Sequence, residues 1–326
     1  MMAMTTVFQK LLRTAAVLAF AAPAAVLAAY PDKPIRLIVP FPAAGSTDLI
    51  ARLVAGEMAR SLGQVINVEN RAGAGSVVGT ELVAKSAPDG YTLLLSGSTA
   101  IYMPFIYRKL AFQPIDDFVP IGLIADIPNV FAVNADTPYR SVADVVRAAK
   151  ASPGAITFAS AGSASPSHLV CELLSSRSGV KLTHVPYKGN APAVTDLMGG
   201  QVPTMCNNLG GTLPYLKGGK IRMLAVTGKT RSAAAPEVPT FGEAGVPGLE
   251  SGVWMALVAP AGTPQPIVDR LSEALGRALR SSEVKERFAA IGAEPLTPTP
   301  AAYQARVRQE IEIWTPVLKQ LDLKPD

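Results

Sequence analysis

The amino-acid sequence predicts an α/β protein of two domains. Short apolar strands alternate with amphipathic helices along most of the 326 residues, and loops rich in small residues or Pro separate them. Hydrophobic residues make up 49% of the chain, which is too large a fraction for disorder, and the 27 Gly and 28 Pro residues suit a protein with many tight turns. A chain of this length can bury two cores of ordinary domain size.

The first 28 residues predict a secretory signal peptide that is not part of the fold. Lys10 and Arg13 lie near the start, residues 11–27 are apolar and Ala-rich, and Ala28 is the expected cleavage position. A retained membrane anchor is the alternative, but Pro23 interrupts this segment and no later stretch reaches about 18 consecutive apolar residues. We therefore expect a chain that is exported to the periplasm and is not inserted into the membrane.

The charge of the chain argues against binding to nucleic acid or to a membrane surface. The formal net charge is +5, and loss of Lys10 and Arg13 with the signal peptide would lower it by two, to +3. The basic residues are scattered along the chain and form no cluster. We expect no nucleic-acid partner.

Residues 35–54 predict a strand, a tight loop and a helix in succession. An apolar run ends at Pro40 and Pro42, and the small residues 43–45 form the loop. Residues 46–48 are candidate N-caps for a helix whose apolar residues recur every three or four positions. The unpaired N–H groups and partial positive charge at such a helix start suit a carboxylate or phosphate. Many junctions of this kind bind nothing, so the prediction also depends on the rest of the chain.

The pattern of strand, loop and helix repeats after this unit. A strand over 65–69, a Gly-rich turn over 71–75 and a helix over 76–83 come next. A buried strand over 91–95 then leads into the polar loop 96–99. Strands that alternate with helices predict a parallel-rich sheet with right-handed crossovers, and ligands collect beyond the carboxyl ends of such strands.

A second domain is predicted within the first. We interpret the strands at 130–134 and 254–259 as the two crossings between domains. Amphipathic helices at 142–149 and 267–279 follow them. The strands predicted between them lie near 156–159, 182–185, 202–205 and 222–226, and the helices near 166–175, 191–198 and 212–217. We therefore assign 29–129 plus 253–326 to domain 1 and 130–252 to domain 2, with the two connecting strands as a hinge around a ligand cleft.

The inserted domain has a candidate anion loop of its own. Residues 160–167 follow a predicted strand, contain four Ser residues and precede a helix with Pro166 near its first turn. A flexible Ser-rich surface loop is the alternative interpretation. If both loops bind an anion, they would face each other across the cleft.

Motifs for cofactors, metals and catalysis are weak. Gly73, Gly75 and Gly79 depart by one residue from the dinucleotide fingerprint, and no acidic residue ends the next strand. His168 and Glu172 have helical i, i+4 spacing, but two ligands without a third favour a structural histidine over a metal site. With only two histidines and no paired carboxylates in the loops, the chain is expected to bind a ligand without a cofactor or metal, and not to act as an enzyme.

The two cysteines leave two possibilities open. Cys171 and Cys206 could pair in an oxidising compartment, or both could be buried free thiols, because each lies in an apolar stretch.

Seven ordered motifs carry a resemblance to a known family. They are YPDKPIRLIVPFP at 30–42, VENRAGAG at 68–75, PDGYTLL at 88–94, HVPYKG at 184–189, VPT at 238–240, EAG at 243–245 and APAGT at 259–263. The chain resembles the Bordetella-uptake-gene (Bug, TctC) family of periplasmic solute receptors of tripartite tricarboxylate transporters. This resemblance implies a Venus-flytrap periplasmic-binding-protein fold and a receptor, expected to be a monomer, that passes a small carboxylate to membrane permease subunits.

The resemblance also implies which residues contact the ligand. Family members hold one ligand carboxylate on loops that match 43–48 and 96–99, and the second domain reads the rest of the ligand through segments that match 162–167 and the region of Asn207. Asp48 is expected to cap the helix, because its charge would repel a carboxylate. The full expected set is Phe41, Ala43, Ala44, Gly45, Ser46, Thr47, Asp48, Ser96, Ser98, Thr99, Ala161, Gly162, Ser163, Ser165, Ser167, His168, Tyr187 and Asn207.

Two departures from the family pattern affect the expected ligand. Ala44 stands where the family more often has a second Gly, and Asn207 stands where many relatives have Asp. An Asp could accept a hydrogen bond from a ligand ammonium, whereas a neutral Asn can also donate to a carboxylate. We therefore expect a preference for di- or aromatic carboxylates over aspartate and glutamate. A periplasmic hydrolase or lyase that uses a loop serine and a sensory receptor remain as alternative functions.

Overall fold

The computed structural model describes residues 30–43, 45–163, 165–250 and 252–321. The signal peptide predicted for residues 1–28 lies outside these ranges. Within them, no helix combines the length and the apolar character that crossing a bilayer requires.

Eleven strands occur in the described residues. In chain order they are β1 (Ile35–Val39), β2 (Ile66–Asn70), β3 (Thr92–Gly97), β4 (Phe118–Ile127), β5 (Asn129–Asn134), β6 (Thr157–Ser160), β7 (Thr183–Pro186), β8 (Thr204–Asn208), β9 (Ile221–Val226), β10 (Val253–Pro260) and β11 (Glu294–Pro295).

Ten α-helices connect and cover these strands in the described part of the chain. They are α1 (Ser46–Leu62), α2 (Val77–Ala84), α3 (Thr99–Ile106), α4 (Val142–Ala151), α5 (Pro166–Ser178), α6 (Asn190–Met198), α7 (Leu209–Thr212), α8 (Gln265–Arg280), α9 (Ser282–Ala290) and α10 (Pro300–Gln320). Two 3₁₀ turns, Ala74–Ser76 and Leu213–Gly218, complete the set.

The strands form two sheets, with the order β11-β4-β10-β3-β1-β2 in the first and β7-β6-β8-β5-β9 in the second. This architecture confirms the predicted α/β class with two sheets flanked by helices. Both sheets mix strand directions. β1 runs parallel to β2 and β3, but β10 runs antiparallel to β3 and β4. In the second sheet, β6 runs parallel to β7 and β8, but β5 runs antiparallel to β8 and β9. Parallel pairing therefore describes only part of each sheet.

Helix α1 shows why the first unit folds as it does. Ile50, Val54 and Met58 recur at helical spacing and are buried together with Ile35 and Val39 of β1 in one hydrophobic core. The helix ends at Gly63, whose φ of 71° is the left-handed conformation that glycine adopts without a Cβ clash. Core packing thus fixes the helix, and with it the loop that precedes it.

The chain passes between the two sheets at two places. Only Pro128 separates β4 of the first sheet from β5 of the second, and residues 227–252 lead from β9 back to β10. Hydrogen bonds between Asn129 and Thr227 join the two passages. The assignment of two independent domains around this region stays a prediction.

Cys171 and Cys206 form a disulfide that links α5 to β8. Of the two possibilities that the sequence left open for these residues, the structure has the paired one.

Candidate functional site

The first loop of the site joins β1 to α1. Gly45 is the N-cap of α1, with an extended backbone and no side-chain capping hydrogen bond. The prediction that Ser46, Thr47 or Asp48 caps this helix was therefore wrong, because Leu49 N already donates to Gly45 O and the helix begins at Ser46. The backbone donors of the first turn still point toward the loop, as an anion seat requires.

Asp48 lies at the third position of α1 and is 4% exposed. Its carboxylate accepts hydrogen bonds from Arg52 Nε at 3.0 Å and from Asn70 Nδ2 at 2.9 Å. A carboxylate in the first turn is stabilised by the helix dipole. These contacts direct its charge toward Arg52 and Asn70.

The second loop joins β3 to α3. Ser96 and Gly97 end the strand, and Ser98 is the N-cap of α3. A Cβ on Gly97 would lie 2.4 Å from the carbonyl oxygen of Trp254, and Ser98 N donates to that same oxygen. Glycine at position 97 therefore allows the neighbouring strand β10 to approach closely.

The third loop joins β6 to α5. Ser165 is the N-cap of α5 and its Oγ accepts from His168 N at 3.2 Å, while Pro166 occupies the first turn. Ser167 Oγ accepts from Ala161 N at 3.1 Å. The serine side chains thus fix the shape of this loop as well as offering hydroxyl groups.

All three loops open into one cavity of about 570 Å³ that residues of both sheets line. The N-cap residues of five helices line it. They are Gly45 of α1, Ser98 of α3, Ser165 of α5, Gly189 of α6 and Asn208 of α7. No Asp, Glu, Lys, Arg or His lines the cavity in the described part of the chain. Helix N-termini and hydroxyl groups are therefore the main source of positive potential there.

Most of the expected site residues lie at this cavity. The lining residues among them are Phe41, Ala43, Gly45, Ser46, Thr47, Ser96, Ser98, Thr99, Ala161, Ser165 and Ser167. Ala44 lies outside the described residues.

The other expected residues do not line the cavity: Asp48, Gly162, Ser163, His168, Tyr187 and Asn207. Tyr187 donates from its hydroxyl to Asp196, at 2.8 Å. Asn207 is 1% exposed, and its Oδ1 accepts from Asn208 N, at 2.8 Å. Of these residues, Asp48, His168 and Asn207 are buried, whereas Ser163 is exposed to solvent.

Several lining residues were not anticipated from the sequence. Asn129 is the first residue of β5, Gly189 and Asn190 come from the start of α6, and Asn208 comes from the start of α7. Gly followed by Asn before an apolar helical run is a helix-start signal that could have identified α6 as a further contributor. The remaining unanticipated residues are Pro42, Ile127, Val253, Trp254 and Met255, whereas Gly97 and Pro166 lie within the expected segments 96–99 and 162–167.

Two histidines lie behind the third loop. The rings of His168 and His184 stack with centroids 3.8 Å apart, and His184 Nε2 lies 2.6 Å from Ser160 Oγ. Burial, and secondarily the nearby His168, lowers the pKa of His184 to about 4. Ser160 is fully buried, so its hydroxyl is not accessible to a substrate.

His168 and Glu172, the pair considered from the sequence as metal ligands, contact each other on α5. His168 Nε2 lies 3.5 Å from Glu172 Oε1, which is ion-pair geometry. Among the described residues, no group of three or more His, Cys, Asp or Glu side chains is placed to hold a metal ion.

The chain is similar to proteins of one family. Residues 50–323 match the model of the TctC family, described as the tripartite tricarboxylate transporter family receptor. Protein BugT of Bordetella pertussis is 40% identical over 297 residues, which span 90% of this chain and 91% of BugT.

Two solved structures from Rhodopseudomonas palustris are also similar. Rpa4515 with adipate is 36% identical with a TM-score of 0.78, and the match covers 89% of this chain and 97% of that one. MatC with bound malate is 35% identical with a TM-score of 0.75, and the match covers 89% of this chain and all of MatC. The resemblance seen in the sequence motifs is confirmed by these matches. The chain belongs to the TctC, or Bug, family of solute-binding receptors of tripartite tricarboxylate transporters.

Proposed function

We propose that this receptor binds a small organic carboxylate in the 570 Å³ cavity. The observation that carries the proposal is that five helices begin at this cavity while none of its described lining residues carries a charge. Backbone N–H groups at helix starts bind anions, and a charge-assisted hydrogen bond contributes roughly 1.5–3 kcal/mol. Affinity would therefore not depend on Lys or Arg.

The distribution of donors favours a ligand with two acidic groups. Gly45 to Thr47 and Ser96 to Thr99 lie at or after the ends of strands of the first sheet. Ser165 to Ser167, Asn190 and Asn208 lie at or after the ends of strands of the second. One carboxylate would be held on each side. Rpa4515 and MatC, whose structures contain adipate and malate, are relatives with dicarboxylates bound.

We further propose that the receptor prefers acids without an amino group. A ligand ammonium requires an acceptor, and no Asp or Glu lines the described cavity. Asn207, which is buried and does not line the cavity, adds no negative charge near it. Aspartate and glutamate would therefore bring an ammonium into a cavity in which no described carboxylate could pair with it.

The remaining proposals concern the cellular role. The receptor would be a monomer, released into the periplasm by cleavage near Ala28, and would close its two domains around the ligand before delivering it to permease subunits of a tripartite transporter. It would act without catalysis, in keeping with the burial of Ser160 beside His184. Fractionation, N-terminal sequencing and light scattering test compartment, cleavage and oligomeric state.

Isothermal titration calorimetry with matched ligands tests the binding proposal. We expect malate, adipate or an aromatic dicarboxylate to bind with one site per chain, and the corresponding diamides to bind at least about 100-fold more weakly, because two or more charge-assisted bonds are lost. Aspartate and glutamate are the controls for the amino group. Equal binding of acids and diamides, or selective binding of aspartate, would contradict the proposal. Product formation by NMR would instead support the loop-serine enzyme.

A further inference from the structure

The carboxamide of Asn70 holds both ends of the first cavity loop. Its two N–H donors bond to different groups: Phe41 O at 3.1 Å and Asp48 Oδ1 at 2.9 Å. Phe41 lines the cavity at the start of the loop, and Asp48 lies in the first turn of α1. Asn70 itself does not line the cavity. One planar amide group therefore sets the separation between the two ends of the segment 41–48.

A third residue fixes the orientation of this amide. Arg52 Nη2 donates to Asn70 Oδ1 at 3.0 Å, and Arg52 Nε donates to Asp48 Oδ2 at 3.0 Å. Asn70, Asp48 and Arg52 thus form a ring of hydrogen bonds. Together with the bond to Phe41 O, this ring uses both donors and the acceptor of Asn70. Because Asn70 is the last residue of β2, which pairs with β1, the ring ties the loop to the sheet.

We propose that Asn70 is a positioning residue for the ligand, which acts by fixing the backbone donors of residues 45–48 without touching the ligand. This inference rests on the proposed carboxylate-binding function. Only a side chain with two donors and one acceptor in this planar arrangement satisfies Phe41, Asp48 and Arg52 together. Ordering the loop before binding also removes an entropic cost that the ligand would otherwise meet.

The test compares Asn70→Asp with the matched control Asn67→Asp. Both change an amide into a carboxylate on β2, but Asn67 is exposed and lies outside this ring. In the ligand-free protein we expect faster amide hydrogen exchange over 41–49 in Asn70→Asp only, with residues 96–99 unchanged. We expect affinity for malate or adipate to fall about tenfold or more in Asn70→Asp and to stay within about twofold in the control.

The double variant that combines Asp48→Asn with Asn70→Asp separates positioning from stability. The amide introduced at position 48 could again donate to the carboxylate introduced at position 70, and that carboxylate could again accept from Arg52. The melting temperature should therefore recover. The bond to Phe41 O would remain lost, so neither affinity nor slow exchange over 41–49 should recover. Recovery of affinity in this double variant would overturn the proposal.

Further outcomes are decisive even if a variant folds poorly. Asn70→Ala removes the hydrogen bonds of the amide without introducing a charge. If amide hydrogen exchange over 41–49 were unchanged in this variant, Asn70 would not anchor the loop, whatever the binding measurements show. If the wild-type chain bound none of malate, adipate and an aromatic dicarboxylate while exchange rose as expected in the variant, the proposed function would be contradicted and the anchoring of the loop supported.

Discussion

The disulfide between Cys171 and Cys206 joins two elements that both deliver residues to the cavity. Cys171 lies on α5, whose N-cap Ser165 lines the cavity, and Cys206 lies two residues before Asn208 at the end of β8. Both cysteines are buried. The covalent bond therefore holds the third loop and the start of α7 in one rigid unit.

Replacement of both cysteines by Ala should lower the free energy of unfolding by roughly 2–4 kcal/mol. The two positions are 35 residues apart, and the unfolded chain gains the entropy of this loop once the bond is lost. Alanine avoids adding a buried hydroxyl. Guanidinium denaturation measures the change, and the wild type in excess reductant should unfold at nearly the same concentration as the variant. Unchanged stability in both samples would contradict the expectation.

The depressed pKa of His184 predicts a loss of stability in acid. The pKa is about 4 in the folded protein and about 6.5 in an unfolded chain, so folding favours the neutral ring. This contribution is fully present above pH 6.5 and is lost as the pH falls from 6.5 towards 4. Between pH 7.5 and 4.5 we expect the loss to be roughly 2 kcal/mol.

Urea denaturation of the wild type and His184→Gln across this pH range measures that loss. Glutamine has no proton to gain, so the variant should show a flatter dependence of stability on pH. His168 and Glu172 remain in both proteins and provide a common background. Parallel curves for the two proteins would show that His184 does not titrate as expected.

Arg306 should be among the most sensitive positions for stability. Its guanidinium pairs with Asp126 at 2.7 Å and with Glu310 at 2.8 Å, and Glu310 also accepts from Trp314 Nε1. Arg306→Met would leave both carboxylates without this partner, one of them fully buried, and should cost roughly 3–5 kcal/mol. Arg277→Met, which removes an exposed ion pair with Glu273, is the control and should cost less than about 1 kcal/mol. Denaturant unfolding measures both.

The first unit was predictable because local signals and packing agree there. Apolar periodicity and the small residues before Ser46 identified β1, the loop and α1. The N-cap was misassigned because residues 45–48, Gly-Ser-Thr-Asp, are all favoured N-caps, and residue preference does not decide among four in succession. The antiparallel direction of β10 follows from the return of the chain from the second sheet, which strand patterns alone do not reveal.

Strand β4 was missed because Pro120 and Gly122 resemble strand breakers in the sequence. In the sheet, the register between β4 and β10 shifts beside Pro120, which has no N–H to donate. A Cβ on Gly122 would lie 2.7 Å from the backbone of Pro298, so glycine lets the segment before α10 pack on the strand. Contributions to the cavity from Asn129 and Asn208 likewise depend on how the two sheets meet.

Ser76 offers a final test of the cavity geometry. It has a φ of 85°, an uncommon conformation for a residue with a Cβ, and its Oγ donates to Thr99 Oγ1 at 3.2 Å. Ser76→Ala and Ser76→Gly both lose this hydroxyl, but only glycine relieves the backbone cost. We therefore expect Ser76→Gly to be more stable than Ser76→Ala by about 1 kcal/mol in urea denaturation. Because Thr99 lines the cavity, both variants should weaken malate or adipate binding by similar factors. Equal stability of Ser76→Ala and Ser76→Gly would show that residue 76 does not hold the left-handed conformation in solution.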